Sequence, residues 1–142
     1  MSNVYEADFY AWANEQATLL REGRFGEADI ANIAEEIEGL ARTEKRELVN
    51  RLAVLLTHLF KWHSQPSHRG RSWQLTVREQ RARLRNHLED NPSLKSKLAD
   101  AMRDAYELAL LAAQRETGLG EEAFPAQNPW PIEDVLAEDF LP

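Results

Sequence analysis

An apolar stripe runs from Ile30 to Trp62, and no proline interrupts the chain before Pro66. Its members are Ile30, Ile33, Ile37, Ala41, Leu48, Leu52, Leu55, Leu59 and Trp62. They recur at the three-, four- and seven-residue steps that keep side chains on one face of an α-helix, and no other regular structure accommodates that period. With Asp29 as N-cap, the pattern predicts a helix over about 29–63, which would span roughly 50 Å. Gly39 falls opposite the stripe, where it costs about 1 kcal/mol relative to alanine; one continuous helix is the expectation, and a bend or break near Gly39 to Thr43 is the alternative. Beyond Leu48 a second stripe of Val49, Ala53, Leu56 and Phe60 widens the apolar arc. That half of the helix is therefore expected at the centre of a bundle.

The flanking segments obey the same period. Phe9, Trp12, Ala13 and Leu20 predict a helix over about 8–22, stopped by Gly23. Ser64 to Gly70 reads as a loop. Trp73, Val77, Leu84 and Leu88 predict a helix over about 72–90, capped by Ser72 and ended by Asn91-Pro92. Leu94, Leu98, Ala101, Ala105, Leu108 and Ala112 predict another over about 93–117, with Ser93 as cap and Gly118 as stop. A short helix is expected over about 132–139. No window alternates as a strand does, so the fold class is all-α: an antiparallel bundle of four main helices plus the short C-terminal one.

The second half of the 93–117 helix is apolar on nearly every side, with Tyr106, Leu110, Leu111 and Ala113 outside the main stripe. Something must cover that surface. The tail 119–142 carries six acids, no base and three prolines before Ile132. It is expected to pack back on the bundle within a single domain spanning 1–142; the alternative is a homo-oligomer through Tyr106, Leu110 and Leu111.

Function classes are narrowed mainly by exclusion. The chain has no cysteine, which removes disulfides, thiolate nucleophiles and Cys-ligated metals. None of the four histidines follows a glutamate by three residues. His58 and His63 do not share a helix face, and His68 and His87 have no partner legible in the sequence, so the expectation is no metal and no cofactor. The six glycines are scattered, leaving no phosphate loop. The apolar runs fall short of a membrane span, and the N-terminus shows no secretory leader; the expected setting is cytoplasmic, with no membrane partner.

Two groups of polar residues stand out. One interrupts the stripes: Glu44 and Arg51 lie within the arc of the long helix, and Gln80 and Arg81 lie between Val77 and Leu84. With Glu35, Glu36 and His58, Glu44 and Arg81 form a candidate polar cluster. It reads either as a structural ion-pair layer or as the cleft of an enzyme. The other group is cationic. The net charge is −7, yet 61–87 holds seven Lys/Arg and only one acid, Glu79. Lys61, Arg69, Arg71, Trp73, Arg78 and Arg85 combine cations with an aromatic side chain, the ingredients of an anion-binding surface. The leading expectation is a binding or interaction module whose partner is a protein or a phosphate-containing ligand; the acids elsewhere in the chain are rival partners for the same arginines.

The order of these pieces resembles the uncharacterised helical family known as domain of unknown function number twenty-nine. The segments that carry the likeness are Tyr5-Glu-Ala-Asp-Phe-Tyr-Ala-Trp12, Leu19-Leu-Arg-Glu-Gly-Arg-Phe25, Ala34-Glu-Glu-Ile-Glu38, Glu44-Lys-Arg46, His58-Leu-Phe-Lys-Trp62, Arg71-Ser-Trp73, Arg78-Glu-Gln-Arg81, Asn91-Pro-Ser-Leu94 and Glu138-Asp-Phe-Leu-Pro142. The resemblance covers nearly the whole chain and implies a helical, predominantly bacterial, stand-alone protein. It implies no activity, ligand or catalytic residue.

Overall fold

The computed structural model describes residues 4–142, which form helices α1 (Val4–Ala7), α2 (Phe9–Arg21), α3 (Ile30–Ser64), α4 (Arg71–Asp90), α5 (Leu98–Thr117) and α6 (Ile132–Leu136). Among the described residues there is no strand. They fall into two units, one running to Thr43 and the other Glu44–Pro142. α3 contributes its first part to one and the rest to the other, and it continues through Gly39 without a break.

In the first unit, Asp8 caps α2 by accepting from the Ala11 N–H at 3.1 Å, and Gly23 ends it at φ +72°, a left-handed conformation that suits glycine. Trp12, Gln16 and Leu19 are its buried residues. Trp12 and Gln16 settle on Asp29, the residue before α3. The Trp12 indole donates to the Asp29 carboxylate at 3.1 Å, the Asn32 amide donates to it at 2.8 Å, and the Asp29 N–H donates to Gln16 Oε1 at 2.7 Å. The Asn32 side chain and then Trp12 hold the Asp29 carboxyl below the usual range. Tyr5 donates its hydroxyl to Glu36, which pushes the Tyr5 pKa up to about 12.

These contacts use a polar side of α3. Asn32, Ile33, Glu36 and Gly39 are half-buried, while Ile30, Ile37 and Leu40 remain 54%, 61% and 68% exposed. The stripe thus faces a core only after Thr43. The first unit covers α3 through hydrogen bonds to Asp29 and Glu36 and leaves the isoleucines outside.

The second unit holds the main core. Leu48, Leu52, Leu55, Leu56, Leu59 and Phe60 are fully buried, and Val77 and Leu84 of α4 meet them. Each such side chain stabilises the fold by about 1.5–3 kcal/mol. α5 presents Ala101, Ala105, Ala109 and Ala113, all at 0% exposure; small side chains at four-residue steps let its backbone come close. Lys61 sits by Trp73 and Glu44 by His87, so α4 runs antiparallel to α3. Lys61 also pairs with Glu116, so α5 returns in the direction of α3. The tail completes the core with Phe124 and Val135, places Trp130 on Phe60 at 5.0 Å, and takes the Tyr106 hydroxyl on the Pro125 carbonyl.

Three boundaries differ from expectation. Gly70, not Ser72, occupies the N-cap of α4. Residues Pro92–Lys97 form a 3-10 segment, and α5 begins only at Leu98; Ser93 accepts a bond from the Ser96 hydroxyl instead of capping an α-helix. The proline at the start of the segment favours this tighter opening turn. The last helix stops at Leu136 because the backbone turns extended at Ala137.

Candidate functional site

α4 carries two polar faces with different fates. Arg81 lies on the inner one, between Val77 and Leu84, and is only 5% exposed. Its guanidinium donates to three backbone carbonyls of the tail: Nε to Val135 at 2.9 Å, Nη1 to Glu138 at 3.2 Å and Nη2 to Phe140 at 2.7 Å. No carboxylate lies within ion-pair distance of it among the described residues. Burial therefore pushes its pKa down, and the nearby charges of Asp139 and Glu138 offset part of that shift. The planar fork spreads its five donors over three nitrogens, each of which here serves a separate carbonyl, whereas lysine gathers its three donors on a single nitrogen.

On the outer face, Arg71, Leu75, Arg78, Ala82 and Arg85 form one row, because residues seven apart return to the same side of a helix. The arginines are therefore spaced about 10 Å apart along the axis. Arg85 pairs with Glu138 of the tail at 3.1 Å. Arg71 and Arg78 have no ion-pair or hydrogen-bond partner among the described residues. A cleft of about 650 Å³ opens beside the Leu75–Arg85 part of this row, bounded by Leu75, Arg78, Glu79, Arg85, an edge of Arg81 and the tail acids Glu138 and Asp139.

The remaining cations of the candidate anion surface are engaged internally. Lys61 is buried, pairs with Glu116 at 3.0 Å and lies 4.9 Å over the Trp73 ring. Arg69 donates to the Trp62 carbonyl at 2.7 Å and stacks over its ring at 5.2 Å. Of Lys61, Arg69, Arg71, Trp73, Arg78 and Arg85, the outer row thus gathers Arg71, Arg78 and Arg85.

The members of the polar cluster have separate partners. In the first unit Glu36 accepts from Tyr5, and Glu35 pairs with Arg42 at 3.4 Å. In the second, Glu44 lies 3.7 Å from His87, His58 Nδ1 lies 2.9 Å from the Val54 carbonyl, and Arg81 binds the tail. Arg51 pairs with Glu47 at 2.7 Å. Among the described residues no group of His, Asp or Glu is arranged to hold a metal, and no helix is long and apolar enough to cross a membrane.

The family described as Domain of unknown function DUF29 matches residues 4–141. The chain belongs to that family. No curated protein and no solved structure matches it. The DUF29 match takes in both ends of the Arg81 clamp, the α4 arginine and the Glu138–Phe140 segment that receives it. The sequence singles out Arg81 as a polar break in a stripe. The carbonyls it serves have no sequence signature, since every residue has one.

Proposed function

We propose that this DUF29 chain is an interaction module that takes an acidic protein segment on the Arg71–Arg78–Arg85 row of α4. The observation that supports the reading is the unequal occupancy of the row: Glu138 pairs with the third arginine, while Arg71 and Arg78 present charge with no partner among the described residues. An acidic helix with carboxylates two turns apart fits that spacing. Leu75, 46% exposed between the two arginines, adds an apolar contact. Nucleic acid suits the row less well, because its closely spaced phosphates cannot avoid Glu79, Glu138 and Asp139 at the same cleft, whereas carboxylates two turns apart on a helix meet the arginines and leave those acids clear. A charge-rich chain without cysteine suits the cytoplasm, where we place it.

Titration of the full chain with labelled poly-glutamate, at rising salt, tests the reading. Binding is expected to weaken as salt screens the row. It should weaken by roughly tenfold, on the order of 1.4 kcal/mol, in an Arg71→Glu/Arg78→Glu variant. Binding of polyphosphate in place of poly-glutamate, or no dependence on the two arginines, would overturn it.

A further inference from the structure

α5 carries a second, independent surface. The tail covers one side of it, half-burying Tyr106 and Leu110. Another side stays open. There Asp104, Leu108, Leu111 and Arg115 are exposed, the leucines by 46% and 55%. They follow one another at four-, three- and four-residue steps and so form one narrow stripe along the helix. Asp104 and Arg115 have no ion-pair partner among the described residues. Val54 of α3, also exposed, extends the apolar patch across a shallow groove shared with Leu108 and Ala112.

The order of the stripe, acid, leucine, leucine, base, reverses its charge about its own midpoint between Ala109 and Leu110. Asp104 and Arg115 lie equally far from that point, and so do Leu108 and Leu111. Turning a second copy of α5 by half a turn about an axis through the midpoint sets Leu108 at the level of the partner's Leu111. The same operation sets Asp104 level with the partner's Arg115, and both contacts occur twice. An isologous two-fold interface requires this relation, in which residue i meets j and j meets i. A partner of unrelated sequence requires no such symmetry. The two opposite charges lie about 16 Å apart along the helix, one at each end of the leucine pair. They would fix the antiparallel direction and penalise a parallel one.

We infer that this chain forms a homodimer through the Asp104–Leu108–Leu111–Arg115 stripe of α5, packed antiparallel on the same stripe of a second copy. The surface is separate from the arginine row of α4, so dimerisation stands whether or not that row binds an acidic partner.

Sedimentation of the full chain over a concentration series tests the inference. The expected result is a concentration-dependent twofold rise in mass. Leu111→Glu should abolish it while leaving the circular dichroism of the monomer unchanged, since the side chain is outside the core. Asp104→Arg alone sets like charges together, as does Arg115→Asp alone, and each should shift the dimer midpoint to higher concentration. The double variant Asp104→Arg/Arg115→Asp restores opposite pairs and should recover the dimer. Recovery also shows that the single variants lost association and not the fold. A monomer at every concentration overturns the inference, as does a dimer indifferent to Leu111→Glu or single swaps that the double variant fails to repair.

Discussion

Arg81 shows how a buried charge can be held mainly by backbone carbonyls, with no carboxylate in ion-pair contact among the described residues. Three carbonyls converge on its guanidinium, and they belong to Val135, Glu138 and Phe140, so the side chain acts as a clasp on the last turn of the tail. Hydrogen bonds to a charged group contribute more than neutral ones, and a vacated clasp would leave carbonyls without donors in a partly dry site. Arg81→Ala is therefore expected to cost about 2–4 kcal/mol. Arg81→Lys should recover only part of that, because an ammonium group cannot match the planar fork. Urea unfolding of the full chain measures both; a loss below about 1 kcal/mol for the alanine variant would show that the clasp carries little stability. Arg85–Glu138 lies a turn away but is half exposed, and a pair of that kind contributes far less.

The helices of this chain obey the period of their apolar residues wherever those residues meet a core, and glycine effects follow from local backbone geometry. Gly39 lies inside α3 with helical neighbours, and a Cβ placed there would meet only Arg42 Nη2, at an ordinary 3.6 Å. Gly118 ends α5 at φ +75°, where a Cβ is strained whatever the space. Gly39→Ala is thus expected to stabilise by about 0.5–1 kcal/mol and Gly118→Ala to destabilise by about 1–2 kcal/mol. Thermal unfolding followed by circular dichroism reads the opposite signs. The same locality explains what the sequence conveys. Leu48 to Trp62, Val77 to Leu88 and Gly118 are legible because period and stop signal act within one element. The exposed position of Ile30 and Ile37 is not, since it depends on α2 taking Asp29 and Tyr5 of α1 taking Glu36 as contacts. Ser93 mimics a helix cap, but Pro92 opens a 3-10 turn first. The arginine row of α4 can be read from its seven-residue spacing; the tail acid that occupies its last member cannot, because it lies 53 residues away.

At the scale of the molecule, stability is distributed unevenly along a single helix. The part of α3 before Thr43 is held within its own unit by hydrogen bonds: Trp12 and Gln16 of α2 bond to Asp29, and Tyr5 of α1 bonds to Glu36. The part after Thr43 lines a continuous core that also takes residues from α4, α5 and the tail. Amide exchange requires the local helix to open, and the free energy of opening rises with the apolar burial that opening destroys. The amides of Leu52 to Phe60 should therefore exchange only through global unfolding of the second unit. Those of Ala34 to Ala41, whose neighbours Ile37 and Leu40 stay in water, should open at a lower free energy, although they belong to the same uninterrupted helix. Mild denaturant separates the two cases: exchange at Leu52 to Phe60 should accelerate with the slope of global unfolding, and exchange at Ala34 to Ala41 should stay nearly flat until the transition. Equal protection and equal slopes along all of α3 would mean that both units unfold as one. The helix would then transmit stability from the core to its first half, and the exposed isoleucine face would be maintained by a segment that buries little apolar surface of its own.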